Sequence, residues 1–166
     1  MKKLSILLVL ALVCSIAFGG MAVAEVQMGQ AFYAAHGSYS FCVATVAMEG
    51  DVISGVLIDE FQYLAEGAVA VPNTETFTTA EGKVLASKRL NDEAYSAGMA
   101  EAGSTQNLAL SYDAIEEFLV GKTLAELEAL VDGKTSEDFV DAVAGSTLTD
   151  TLGYIQAVIE AVKTVK

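Results

Sequence analysis

Small and hydroxyl-bearing residues are concentrated near the C-terminal end of the chain, where residues 141–151 read Asp-Ala-Val-Ala-Gly-Ser-Thr-Leu-Thr-Asp-Thr. Gly145 is free to adopt backbone conformations closed to other residues, and the hydroxyls of Ser146 and Thr147 follow it. An apolar helical periodicity begins directly afterwards. Because the first amides of a helix lack intrahelical partners and the helix dipole is positive there, the stretch predicts an anion site, such as one for a phosphate. The alternative is a plain turn and N-cap, which needs only Gly145 and Thr149.

Lys88 and Arg89 are the adjacent basic residues that such a phosphate would need. Either they pair with the phosphate, or they are solvated surface charges, as such residues usually are. His36 is the only histidine, and no Cys, His or paired carboxylate stands near it at metal-ligand spacing. A surface or partly buried position therefore suits His36 better than a metal site, and no metal site is predicted.

A cysteine, a pair of neighbouring carboxylates and several aromatic residues could also take part in a functional site. Cys42 lies inside an apolar run and is expected to be a buried, inert thiol. Asp59 and Glu60 are neighbours on a predicted strand, so their carboxylates point to opposite faces and do not act together as an acid–base pair. Aromatic residues could stack on a flavin ring or belong to the core; they are Phe32, Tyr33, Tyr39, Phe61 and Tyr63.

The N-terminus has the pattern of an export signal. Lys2 and Lys3 precede an apolar run over residues 4–18, and small residues end it at Ala24. We therefore predict a signal peptide over residues 1–24, a single domain over residues 25–166, and a secreted or periplasmic location with no membrane insertion after cleavage. Lipidation at Cys14 is disfavoured because Val13 stands where a small residue is expected.

The net charge restricts the expected binding partners, and the cysteine content restricts the expected disulfides. Loss of Lys2 and Lys3 with the leader takes the formal net charge from −13 to −15. Nucleic acid and anionic membrane surfaces are therefore excluded as expected partners. Cys42 would be the only cysteine left, so no internal disulfide is expected and the fold must rely on its apolar core.

The order of the predicted elements indicates an α+β domain, with an antiparallel sheet near the N-terminal half and helices packed on one side. Residues 39–48 and 52–58 are predicted to form a hairpin around Gly50. The first strand is apolar on both faces and is expected to be covered on both. Residues 59–64 are predicted to extend the second strand, and their aromatic side chains either line a cleft or pack. Residues 25–37 are a lead-in segment, and residues 65–82 form a long loop that could act as a lid.

Helix starts are predicted from capping residues. The predicted caps are Asn91, Ser111, Thr123 in a capping box with Glu126, and Thr149 with Asp150 as the first helical residue. Ser136 is predicted to start one further turn.

The hairpin with Gly50 in its turn, followed by the motif over residues 141–149 and an apolar helix, resembles the FMN-binding domain family of extracytoplasmic bacterial flavoproteins. The family motif has Asp, two variable residues, Ser or Thr, Gly, Ala, and then Thr or Ser. In this chain Ala144 replaces the first hydroxyl residue and Ser146 replaces the Ala. Residues 35–37, the region of Lys88 and Arg89, and residues 120–123 are similar to a single-domain secreted subgroup.

The resemblance implies an electron-transfer protein that holds FMN at the motif, with Asp141, Gly145, Ser146, Thr147 and Thr149 as site residues. In many family members a separate flavin transferase esterifies the final hydroxyl to the FMN phosphate, and by that correspondence Thr147 is the acceptor, with Ser146 as the alternative. Non-covalent FMN binding with Lys88 or Arg89 on the phosphate is a second possibility. Extracytoplasmic redox proteins, including membrane-associated ones, would be the partners.

A different class of function stays open beside the flavin carrier. The flavin site could be degenerate, and the chain could be a secreted module that binds another small ligand or a partner protein in a cleft under residues 65–82. A hydrolase is disfavoured because the sequence has no nucleophile elbow, phosphate-binding glycine-rich loop or metalloprotease motif.

Overall fold

The computed structural model describes residues 25–37, 39–73, 79–140 and 142–166. Within them, four antiparallel strands in the order β1-β2-β3-β4 precede four α-helices. The strands are β1 (Val26–Tyr33), β2 (Ser40–Glu49), β3 (Val52–Leu64) and β4 (Val84–Ser87). The helices are α1 (Asp92–Glu101), α2 (Leu108–Leu119), α3 (Leu124–Val131) and α4 (Thr151–Lys163), with a 3-10 turn at Ser136–Phe139. The predicted α+β class is confirmed, and the predicted leader lies outside the described residues.

The hairpin of β2 and β3 is the predicted one. Glu49 pairs with Val52, and Gly50 in the turn between them has a φ of 63°, a conformation that favours glycine. The predicted extension of the second strand over residues 59–64 is confirmed, because β3 continues to Leu64. A bulge at Ala47/Met48 shifts the register near the turn.

The prediction of a lead-in segment over residues 25–37 is wrong, because most of these residues form β1. This strand pairs with β2 along its whole length, from Val26 opposite Glu49 to Tyr33 opposite Cys42. Its alanines and glutamines hide the alternation that marks a strand, and on it only Gly29 is fully buried. A Cβ at Gly29 would overlap the carbonyl oxygen of Ala161, so the glycine lets α4 cross the strand at close range.

The helices pack on one face of the sheet, as predicted. Side chains of β2 at Cys42, Ala44, Val46 and Met48 are buried in the core, against α2 and α4. The prediction that β2 is covered on both faces is wrong, because its alternate residues stay partly exposed. Apolar character on both faces therefore did not indicate a second covering layer.

Helix starts agree with the predictions in part. The capping box of Thr123 and Glu126 opens α3, and Ser136 begins the 3-10 turn, both as predicted. The predicted cap at Ser111 is wrong: this residue is buried inside α2, whose N-cap is Asn107. The predicted cap at Thr149 is also wrong, because Asp150, expected as the first helical residue, is the N-cap of α4. Among the helices of the described residues, none has the length and apolar character that a bilayer crossing requires.

Candidate functional site

The turn before α4 is anchored to the helix layer. Gly145 has a φ of 89°, and a Cβ there would lie 3.2 Å from the Cβ of Ala114 on α2. The Gly145 carbonyl accepts a hydrogen bond from Nε2 of Gln106 at 3.2 Å. Gly145 therefore serves both a left-handed turn and a close approach to α2. Asp141 lies outside the described residues.

The hydroxyls of this turn divide into buried and exposed ones. Ser146 is buried, and its Oγ lies 3.4 Å from Oγ1 of Thr151, which in turn donates to the carbonyl of Leu148 at 2.6 Å. Thr147 is exposed, and its hydroxyl has no hydrogen-bond partner among the described residues. Thr149 is also exposed, with Oγ1 3.5 Å from Oδ2 of Asp150. Thr147 is therefore accessible to solvent, whereas the hydroxyl of Ser146 makes its contacts inside the turn.

The start of α4 already has a negative group and a covering segment. Asp150 is the N-cap, and its Oδ2 lies 2.6 Å from Nδ1 of His36, which is about half exposed. A Cβ at Gly153 would lie 2.5 Å from the carbonyl oxygen of Ala35, so residues 35–36 lie directly against the first turn. The Asp150 carboxylate meets the positive end of the helix dipole and competes there with any phosphate. The surface position expected for His36 is confirmed.

Lys88 is buried, so the alternative that it is a solvated surface charge is wrong. Its side chain is 1% exposed, and Nζ donates to Oε2 of Glu60 at 2.6 Å while lying 4.7 Å from the centre of the Tyr95 ring. Sequence reasoning could not place it, because lysine is almost never fully buried without a partner and the partner lies on another strand.

Arg89 is held in a second set of contacts. Its Nε donates to the carbonyl of Ile58 at 2.5 Å, and its two terminal nitrogens pair with Asp113, at 2.7 Å, and with Glu116. Burial of the guanidinium opposes its charge, but these hydrogen bonds and charges outweigh burial and raise the pKa of Arg89. A phosphate at either Lys88 or Arg89 would have to displace an existing carboxylate.

A buried polar network around Glu60 was not predicted. Glu60 is fully buried on β3, and its carboxylate accepts hydrogen bonds from Lys88 at 2.6 Å, Tyr154 at 2.8 Å and Ser40 at 2.8 Å. Oη of Tyr154 lies 3.2 Å from Oη of Tyr112. One signal in the sequence does point to it: Glu60 stands two residues after Ile58, on the core face of the same strand.

The network fixes the ionisation of its members. Burial raises the pKa of Glu60, but the hydrogen bond and charge of Lys88, together with Tyr154 and Ser40, outweigh it and hold the pKa below the ordinary value. Burial also raises the pKa of both tyrosines well above their usual range. Glu60 is thus a carboxylate and both tyrosines are neutral phenols at neutral pH, and the network links β3 and α4 to Lys88, which directly follows β4.

The expectations for Asp59 and Cys42 hold. Asp59 points away from Glu60 and accepts hydrogen bonds from Oγ of Ser87, at 2.5 Å, and from the amide of Arg89, at 3.2 Å. Cys42 is buried, and this burial raises the pKa of its thiol to about 12. Within the described part of the chain, no group of three or more His, Cys, Asp or Glu residues is placed to hold a metal ion.

The aromatic residues are not gathered around Thr147. Phe32, Phe61 and Tyr63 lie on the sheet face opposite the helices, whereas the turn that carries Thr147 packs against α2. Tyr39 is almost fully exposed, and Oη of Tyr33 donates to Gln156 at 2.9 Å. The motif and these rings are therefore separate features of the molecule.

A groove of about 760 Å³ lies between the start of the long loop and α1. Its lining comes from residues 64–69 and from Leu90, Asn91, Glu93, Ala94, Tyr95 and Ala97. Asn91 ties the loop in place, because its side chain accepts from the amide of Val69 at 2.7 Å and donates to the carbonyl of the same residue at 3.0 Å. None of the described residues of the turn before α4 lines this groove, and residues 74–78 of the loop lie outside the described part of the chain.

Comparison of the chain with protein-family models, with curated proteins and with solved structures finds no match in any of the three. The site therefore has to be interpreted from its own geometry.

Proposed function

We propose that this protein is an extracytoplasmic FMN carrier in electron transfer, with the FMN phosphate esterified to Oγ1 of Thr147. The observation that carries the proposal is the division of hydroxyls in the motif. Thr147 projects into solvent, where a modifying enzyme can reach it, whereas the Ser146 hydroxyl is buried. The exposed residue is the one that the resemblance assigns as acceptor.

The contacts of the basic residues favour an ester over non-covalent binding. A free FMN phosphate carries close to two negative charges at neutral pH, and the cations meant to hold it, Lys88 and Arg89, are already paired with carboxylates. Esterification removes one of those charges, which matters beside Asp150 in a chain of net charge −13. The transferase would join Oγ1 of Thr147 to the FMN phosphorus by cleaving the phosphoanhydride of a dinucleotide flavin donor, so that a nucleoside monophosphate leaves and the hydroxyl proton is lost.

The surroundings of Thr147 suit a tethered flavin. The described residues place no aromatic cage at this turn, so the protein would contribute attachment and exposure, and a ring held near the surface would be open to redox partners. When bound, the flavin supplies the one- and two-electron chemistry, while the chain positions it.

Intact mass spectrometry tests the attachment. The chain is co-expressed with a flavin transferase, and Thr147→Ala is compared with Ser146→Ala and with Thr149→Ala, the matched control at an exposed threonine of the same turn. We expect an FMN-sized increment in the wild type and in both other variants, and none in Thr147→Ala. An unmodified wild type, or an increment that survives Thr147→Ala, contradicts the proposal.

The extracytoplasmic location rests on the predicted leader, with Lys2 and Lys3 ahead of an apolar run. N-terminal sequencing of the protein from its producing cells tests it. We expect the mature chain to begin at Glu25. A start at Met1 in a protein retained inside the cell contradicts the extracytoplasmic location. The attachment of FMN at Thr147 is tested separately, by the mass measurement above.

The groove beside α1 favours a second candidate function, the binding of a small, largely apolar ligand. Its volume lies in the range of small-molecule sites, and Asn91 fixes the loop that forms one wall. Native mass spectrometry of protein from its host would detect a retained ligand. Ala94→Trp fills the groove and should abolish retention, whereas Ala125→Trp on the exposed side of α3 should not. Absence of any ligand, or equal retention in both variants, contradicts this function.

A further inference from the structure

The sheet face opposite the helices is largely apolar. We define the open sheet face by the side chains that alternate with the buried ones on β1, β2 and β3, which are Met28, Gln30, Phe32, Phe41, Val43, Thr45, Ala47, Leu57, Asp59, Phe61 and Tyr63. Phe32 is 68% exposed and Leu57 is 57% exposed. The largest apolar patch of a protein is often a functional surface, so this face is a candidate interaction surface.

Aromatic rings form the centre of one end of this face. The rings of Phe41 and Phe61 stack with centroids 5.5 Å apart, and the ring of Phe32 lies 6.3 Å from that of Phe41. The three rings come from three adjacent strands, and the ring of Phe32 is tilted by 58° to that of Phe41. The strands fix the relative positions of the three residues.

The open sheet face is nearly free of charge, although the chain as a whole has a formal net charge of −13. Asp59 is its one charged member among β1, β2 and β3 apart from the strand ends, and Ser87 and Arg89 already satisfy that carboxylate. A basic partner would find no anions to pair with on this face. A second copy of the chain, in contrast, could approach it without bringing like charges into contact.

The edges of the sheet are less available than its face. On β1, the amide of Gln30 donates to Oγ1 of Thr164 at 2.9 Å, and the same oxygen lies 3.1 Å from the Gln30 carbonyl. On β4, the carbonyl of Leu85 accepts from the amide of Val71 at 3.0 Å. Both edges thus have backbone groups occupied by the chain itself, which obstructs the addition of a strand from another molecule.

The size of the face matches a small dimer interface. The three strands that form the face have 8, 10 and 13 residues, and at about 3.3 Å per residue and a spacing of about 4.8 Å they give an area of about 500 Å² per copy. Two copies would together bury about 1,000 Å², the lower limit for a specific protein interface.

We propose that the open sheet face binds the same face of a second copy, giving a two-fold symmetric dimer of stacked sheets. Each residue then contributes twice, because an isologous interface presents the same patch from both sides. Sheets packed in this way lie about 10 Å apart with strands crossing at about 30°. The dimer leaves the turn before α4, which is on the helix side, accessible, so the inference does not depend on the flavin.

Sedimentation velocity over a concentration series tests the proposal on protein isolated in its native processed form. Leu57→Glu places two like charges in the interface, and Leu110→Glu is the matched control, because Leu110 is 51% exposed on α2, in the helix layer. Phe32→Glu is a second disruptive variant on another strand. Urea unfolding of each variant shows that the fold is retained.

We expect wild type and Leu110→Glu to dimerise with equal midpoints at micromolar to millimolar concentrations, and both variants of the open sheet face to weaken the dimer at least tenfold. Added salt should strengthen the wild-type dimer, because the interface is neutral while the two acidic bodies repel each other. A wild type that stays monomeric at about 1 mM, or dimers that Leu57→Glu and Phe32→Glu leave unchanged, overturns the proposal. Binding of a different protein or of lipid vesicles by a chain that never dimerises also overturns it.

Discussion

Replacement of Lys88 by Met should destabilise the protein strongly at neutral pH. The ammonium is 1% exposed and lies 2.6 Å from the carboxylate of Glu60, which is fully buried. Its removal leaves that charge with only the hydroxyls of Tyr154 and Ser40, both at 2.8 Å. Loss of one partner of a buried ion pair costs about 3–5 kcal/mol of unfolding free energy. With a urea m value of roughly 2 kcal/mol per molar, the midpoint should fall by about 1.5–2.5 M.

The pH dependence identifies the cause. In the wild type the folded pKa of Glu60 lies below its ordinary value of 4.5, so this carboxylate stabilises the fold above about that pH, and the contribution is lost as the pH falls further. Without Lys88, burial dominates and raises the folded pKa above the unfolded one, so the variant gains stability as the pH falls from neutral. The gap between wild type and variant should therefore narrow from pH 7 toward pH 5.

Two further variants separate the ion pair from general packing effects. Lys163→Met is the control, since Lys163 makes exposed ion pairs with Glu160 and Glu128 and should lose little stability. The double variant Lys88→Met with Glu60→Gln removes both charges and should recover a large part of the loss. Equal losses for Lys88→Met and Lys163→Met, or a double variant no more stable than Lys88→Met, would refute the reasoning.

Three other predictions follow from single contacts. Native Cys42, with a pKa raised to about 12, should resist a thiol reagent at about pH 8 until the protein is unfolded; fast native labelling would contradict its burial. Gly153→Ala should cost about 1–3 kcal/mol in urea unfolding, because its methyl group would meet the Ala35 carbonyl, whereas Gly98→Ala in open space on α1 should stabilise by about 0.5–1 kcal/mol; equal effects would contradict the close approach. Thr123→Ala breaks the capping box of α3 and should cost about 1 kcal/mol; an unchanged midpoint would show that the cap contributes nothing.

Local signals in the sequence predicted those elements that depend on neighbouring residues. The hairpin follows from apolar runs around Gly50, and α3 follows from a capping box whose two partners are three residues apart. The edge strand β1 was not predicted, because its stability comes from pairing with β2 and from contact with α4, at Gly29, more than a hundred residues away in the chain. The predicted cap at Ser111 was wrong for a related reason. This residue is buried inside α2, and its burial depends on contacts with distant parts of the chain.

For the candidate site, the sequence by itself determined which groups are present: Gly145 in a turn, hydroxyls at Ser146 and Thr147, and a helix directly behind them. Only the tertiary structure decided which groups are available. Packing buries Ser146 and exposes Thr147, and it pairs Lys88 with Glu60 across two strands. The physical reason is that residue type and spacing fix the local backbone, whereas burial and charge pairing depend on contacts between distant parts of the chain. The exposure of the open sheet face likewise depends on how the helices pack on the other side of the sheet.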